Sequence, residues 1–320
     1  MPLPYNQTTI DGRTVAQENE MKILRSLRYF GHLRRQEVAR LVWPRSSHKS
    51  AYLMALRTLK RMRESQYIFE RDNLFRETSV ALGSKGVARL AELQMSAQPG
   101  YAMAFTGAQF FHRTLSNNYL IDRARIGARV WPEYGLLAGY GKVTSDWFKS
   151  AANKVPDGVV ELTLQDVGIT AGHFAIEWIE VESAFKSRKE LNKIFDVSRS
   201  LGGFISPKKN VEMFQAEGRF FDVFVDRLVF VYDTRAGHEK NILKALKDYA
   251  KEHGLTNDQE WLQRIVFARC YLDLPFAWHG YEEVTAAQLL STFADDGSVV
   301  SELPDLTKQS YGDFLPEEIE

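Results

Sequence analysis

Cysteine occurs once in the 320 residues, at Cys270. That excludes an intrachain disulfide and a thiolate zinc cluster, and leaves the thiol as a core filler rather than a nucleophile. No apolar run approaches the roughly 18 to 20 residues that span a bilayer. Neither a Gly-x-x-x-x-Gly-Lys-Ser/Thr nor a Gly-x-Gly-x-x-Gly stretch is present, which argues against nucleotide hydrolysis and dinucleotide binding. The seven histidines include no His-x-His pair, which counts against a histidine-clustered metal centre. Charge of neither sign is in excess, with 41 basic and 41 acidic residues. The start, Met1 to Asn6, lacks the charged-then-apolar pattern of a secretory signal, so the expected compartment is the cytoplasm and no membrane is involved.

What is present is sorted along the chain. An apolar content of 44% and a length of 320 residues allow two domains, each with its own core. From Lys22 to Arg63 twelve basic residues face one acid, Glu37, and the balance reverses from Tyr281 onward. Apolar spacing predicts a helix from Glu18 to Phe30, a short one over Arg35–Val42, and a third after Ser46 or Ser47 that carries Tyr52, Leu53, Leu56, Leu59 and Met62. Two strand-like runs, 67–71 and 77–82, then read as a hairpin. Three helices followed by a hairpin is the winged-helix order, whose third helix enters the major groove of DNA. Its candidate contacts are Arg45, His48, Lys49, Tyr52, Arg57 and Lys60, most of which would touch phosphate while a few near the helix start read base edges.

The stretch that carries chemistry lies between Val155 and Ile194. Pro156, Asp157 and Gly158 open an apolar run, and a strand over Phe174–Glu182 ends in Glu180 and Glu182. Residues two apart on a strand share a face, so these two carboxylates point the same way after Phe174, Ile176 and Trp178. A hairpin would bring Asp157 beside them. Converging carboxylates call for a cation, and an all-oxygen set suits Mg²⁺ or Mn²⁺ in phosphodiester chemistry. Lys186, Lys189 and Lys193 follow; Lys189 and Lys193, four apart, fall on one helix face. One of these lysines could hold a scissile phosphate or an attacking water. His112, on a helix expected from residue 108 to 130, is a further candidate for assisting chemistry or positioning substrate. Later runs around residues 220–233 and 264–272 read as strands, the last as an added edge, with a helix over 239–253 between them. Strand, helix, strand order supports an α/β sheet.

The order Pro-Asp, then a strand ending in Glu-x-acid, then a helix with a lysine resembles the PD-(D/E)xK restriction-endonuclease-like superfamily. With the amino-terminal helices it resembles more narrowly the replication-relaxation and MobC-type relaxases of mobile plasmids. The resemblance implies an α/β (α+β) protein: a winged helix over 18–95, a linker over 96–107, a nuclease-like mixed-sheet domain over 108–280 and an acidic tail over 281–320. It implies a nickase acting on double-stranded origin DNA, with Asp157, Glu180 and Glu182 on the metal, Lys193 beside them and His112 assisting. Other mobilisation or coupling proteins and a second copy of the chain are the expected partners. Glu182 stands where the superfamily pattern has lysine. The alternative is a plasmid replication initiator or transcriptional regulator with an inactive nuclease-like domain. The acid-rich tail is expected to compete with DNA for the basic surface.

Overall fold

A computed structural model describes residues 11–72, 77–99, 108–163, 174–209, 222–273 and 277–292. The first part is α1 (Gly12–Phe30), β1 (His32–Arg34), α2 (Arg35–Val42), α3 (His48–Glu64), β2 (Ile68–Asp72), β3 (Thr78–Leu82) and α4 (Ser84–Ala91). Its three strands pair in the order β1-β3-β2. The first helix begins six residues before the expected Glu18, where the Asp11 carboxylate accepts the Arg13 N–H at 3.1 Å. It stops at Gly31, whose φ of 75° favours a residue without Cβ. Ser47 caps α3, and Ala51, Ala55, Leu59 and Met62 form its inward row. Of the apolar residues that the spacing singled out, only Leu59 and Met62 belong to that row; Tyr52, Leu53 and Leu56 are 36%, 42% and 38% exposed. Small residues face inward because α2 packs closely against this side of α3.

The second part is α5 (Ala108–Arg125), β4 (Arg129–Pro132), α6 (Glu133–Leu137), α7 (Ser145–Ala152), β5 (Gly158–Leu162), β6 (Phe174–Glu182), α8 (Arg188–Ser198), β7 (Gly203–Ile205), β8 (Val223–Asp233), a 3-10 turn (Thr234–Ala236), α9 (His238–His253), α10 (Gln259–Gln263), β9 (Ile265–Asp273), β10 (Ala277–Thr285) and α11 (Ala286–Thr292). Seven strands form one mixed sheet in the order β10-β9-β8-β6-β5-β4, with β7 paired to the start of β8. The strands β4, β5 and β6 are antiparallel, whereas β6, β8 and β9 run parallel.

Both faces of this sheet are covered, and for that reason every residue of β6 is buried. One face packs on α7, α8, α9, α10 and α11 through Trp147, Phe148, Leu191, Phe195, Leu246 and Trp261. The other face packs on α5, and the same apolar cluster continues into Ile23, Leu27, Val38 and Leu59 of the first part. The two parts therefore share a core.

Three boundaries differ from expectation. The helix expected to reach 130 ends at Arg125, because residues 129–132 pair with β5 as an edge strand. The run 264–272 is not an edge: β9 lies between β8 and β10. The tail expected from 281 starts inside β10, where Glu282 and Glu283 pair opposite Arg269 and Ala268. Most of the expected linker, residues 100–107, and the segment 293–320 lie outside the described residues.

Candidate functional site: a carboxylate and lysine cluster

The register of β5 on β6, with Gly158 opposite Ile179, sets Asp157 beside Glu180. Backbone hydrogen bonding fixes this residue twice. Its N–H donates to the Ile179 carbonyl at 2.9 Å, and its Oδ2 accepts the Val181 N–H at 2.8 Å. Gly158 lets α5 close over the start of β5, since a Cβ there would stand 2.9 Å from Leu120 Cδ1. That closure brings His112 to the cluster, with Nε2 3.3 Å from Asp157 Oδ1 and Nδ1 3.2 Å from Ser183 Oγ.

Glu180 and Glu182 end the strand face that begins with Phe174, and both are buried. Glu180 Oε1 accepts from the Trp178 indole at 2.7 Å. Its Oε2 lies 2.9 Å from Lys154 Nζ and 3.8 Å from Lys186 Nζ. Lys186 donates to Glu182 Oε1 at 2.7 Å. Three carboxylates are thus matched by two ammonium groups and an imidazole, whose tips reach the surface with side-chain exposures of 23–25%.

The protonation behaviour follows from competition between burial and charge. Burial would raise the Asp157 carboxyl, but His112, Lys154 and Lys186 override it and hold the group at about 2. Burial raises Glu180, and the adjacent Asp157 charge pushes the same way. Glu182 rises to about 7 through burial, against the pull of Lys186. The opposite balance applies to the bases. Burial would lower Lys186 and His112, yet the neighbouring carboxylates leave both raised.

Asp157, Glu180, Glu182 and His112 are brought together; Lys193 is not. Leu191, Ile194 and Phe195 turn inward on α8, so Lys189 and Lys193 point outward and line a shallow surface depression with Arg188, Asn192 and Asp196. The lysine of the cluster is Lys186, in the turn before the Ser187 cap, joined by Lys154 from the turn after α7. Sequence spacing gave no reason to choose Lys154. The one local signal is Asn153, a left-handed C-cap with φ 56° that folds the chain back toward Pro156.

A divalent cation would have to enter among charges that are already balanced. The oxygen donors suit such an ion in kind, although Glu180 Oε2 already meets Lys154 Nζ at 2.9 Å. Among the described residues, however, no three His, Cys, Asp or Glu side chains are arranged as a metal-holding group. Lys154 and Lys186 supply the counter-charge instead, so Asp157, Glu180 and Glu182 suit a metal in the kind of donor atom but not in their present arrangement.

On the first part, Arg45, His48, Lys49, Tyr52, Arg57 and Lys60 are all exposed, at the start and along the outer face of α3. The basic excess of this stretch is smaller at the surface than in sequence. Arg34 is buried on Glu37 at 2.8 Å, Arg40 pairs with Asp122, and Arg28 Nε donates to the Ser96 carbonyl at 2.5 Å.

A second charge cluster, not anticipated from sequence, lies on the opposite face of β6. Buried Glu177 pairs with Arg123 at 2.8 Å and with Arg227, and Arg123 also holds Glu283 at 3.0 Å. Two arginines against two glutamates close this network, and it ties α5 to β6, β8 and β10. No family model matches the chain, and neither a curated protein nor a solved structure matches it.

Proposed function

We propose that the chain is a DNA-processing protein that nicks a phosphodiester with a divalent metal, as the resemblance to MobC-type plasmid relaxases implies. The observation that carries this reading is the convergence of Asp157, Glu180 and Glu182 with Lys186 at the end of a buried strand. Helix, antiparallel strands, acid-bearing strand, helix and parallel strand follow in the order expected of a restriction-endonuclease-like core. The arrangement α1 to β3, with an exposed basic α3, supports a winged helix for duplex origin DNA.

Asp157, Glu180 and Glu182 would hold Mg²⁺ or Mn²⁺. Such an ion, when bound, would supply Lewis-acid stabilisation of the phosphoryl group. Lys186 stays charged and offsets negative charge on the phosphate. Glu182, raised to about 7, can take or release a proton near neutral pH. His112 fixes Asp157 and the Ser183 hydroxyl in place. Lys186 thereby takes the role that the family pattern gives to a lysine at position 182.

The test is conversion of supercoiled origin plasmid to open circles with Mg²⁺ or Mn²⁺. Nicking is expected to vanish with chelator, with Glu180→Ala and with Lys186→Met, and to survive Lys193→Met. One observation favours the alternative of a non-catalytic initiator or regulator: the lysines neutralise the carboxylates without a metal. Duplex binding without nicking, unchanged by Glu180→Ala, would establish that alternative.

A further inference from the structure

Four lysines of α9 form one row. Ile242, Leu243, Leu246, Tyr249 and Ala250 face the core, which leaves Lys240, Lys244, Lys247 and Lys251 together on the outer side at helical spacing. Among the described residues none of the four has an ion-pair partner. The acids that could have compensated them are turned elsewhere: Asp248 and Glu252 of the same helix lie 3.7 and 2.5 Å from Arg188 of α8. Like charges at this spacing repel along a helix, so the row costs stability unless an anion meets it. It is about 16 Å long at the rise of an α-helix.

The row starts at the carboxylate cluster. His238, the first residue of α9, packs against Phe185 with ring centroids 4.8 Å apart and the ring planes tilted by 58°. Phe185 is 70% exposed, and it precedes Lys186, the residue that pairs with Glu182. A large aromatic ring thus stands in water at the mouth of the cluster, with a line of unpaired ammonium groups leading away from it. An aromatic platform followed by a cationic track is what single-stranded nucleic acid requires: a base stacks on the ring and the phosphates follow the charges. Only an unpaired base offers its face to a side chain in this way.

We infer that Phe185 and the lysine row of α9 form a binding track for single-stranded DNA, separate from the α3 surface. The inference rests on the proposed function only in taking DNA as the ligand, and it does not require cleavage.

The experiment measures binding of a fluorescent oligothymidine and of a duplex to the full-length protein by anisotropy across a salt series. The variants are Phe185→Ala and the quadruple K240Q/K244Q/K247Q/K251Q. These side chains are exposed or half-exposed, and Lys and Gln have similar helix propensities, so near-UV circular dichroism should match the parent. The quadruple variant is expected to lose at least about tenfold in oligothymidine affinity. Its log–log salt slope should fall by about 3, four single-strand phosphate contacts' worth. Phe185→Ala should lose roughly five- to hundredfold. Lys49→Gln with Arg57→Gln should weaken duplex binding and leave oligothymidine binding unchanged.

The inference is overturned if the parent fails to bind oligothymidine or if the quadruple variant binds it as the parent does. Lysine-dependent binding to phosphatidylserine vesicles in place of oligothymidine would overturn it too. Absence of nicking with α9-dependent single-strand binding defeats the cleavage reading alone. Nicking with α9-independent binding defeats this inference alone.

Discussion

Burial and a cationic partner act against each other at Glu182, and burial prevails: the carboxyl is raised to about 7 although Lys186 sits 2.7 Å away. The folded state then holds a proton that the unfolded chain has released, so this group's contribution is complete below the unfolded value of 4.5 and is lost as pH rises through 7. The loss is about 3 kcal/mol for a shift of this size. Asp157, held near 2, acts in a separate window, losing its contribution only as pH falls below 3.8. His32, lowered to about 4 by burial, stabilises in the opposite sense as pH rises to 6.5. The Glu182 effect is therefore read as a difference between chains. In chelated buffer, Glu182→Gln should gain about 3 kcal/mol on the parent between pH 4.5 and 8, measured by urea denaturation. A flat difference would show that the carboxyl is ionised throughout. The acids of this site were legible because a strand fixes the direction of alternate side chains. Its lysines were less so: Lys186 was one of three candidates and Lys154 was none, because both sit in turns, where spacing along the chain says nothing about direction.

Elements impose a different limit on reading: amphipathic spacing identifies a helix but not the separation of its neighbour. On α3 the bulky Tyr52, Leu53 and Leu56 lost the inward positions to Ala51 and Ala55 because α2 lies so close. Contact between α2 and α5 is polar at its centre. Arg40 donates to Asn118 Oδ1 at 2.6 Å and pairs with Asp122, Asn118 donates to Glu37 at 2.8 Å, and Asp122 accepts from the Trp278 indole at 2.6 Å. None of these pairings shows in the sequence, since their partners are roughly 80 or more positions apart. Removing one partner of a largely buried pair strands the other charge, so Arg40→Ala should cost about 3 kcal/mol. A double-mutant cycle of Arg40→Ala with Asp122→Ala should return a coupling of about 1–3 kcal/mol by urea denaturation. Additivity within about 0.3 kcal/mol would mean that the Arg40–Asp122 pair adds nothing to the joint between the two parts.

Across the whole molecule, composition marked the change of charge near residue 281 but could not distinguish an acidic strand from an acidic tail. Glu283 is the instructive case. It accepts from Tyr119 and Arg123 of α5, both at 3.0 Å, so an acid that reads as tail closes the network around Glu177. Val284, Ala286 and Leu289 belong to the core on the other face of the sheet. A chain ending at Gly280 loses all of these, together with the pairing of residues 281–285 on β9, and leaves Arg123 and Tyr119 buried without Glu283. A chain ending at Thr292 keeps every contact described above. The shorter chain should therefore show no cooperative melt, whereas the longer one should melt within a few degrees of the parent. This difference governs how competition between the acid-rich segment and DNA can be tested. In the chain ending at Thr292, removal of the acids between Phe293 and Glu320 should raise non-specific duplex affinity and steepen its salt dependence. Unchanged affinity there would exclude competition, while lost affinity in the chain ending at Gly280 would report only the collapse of the sheet.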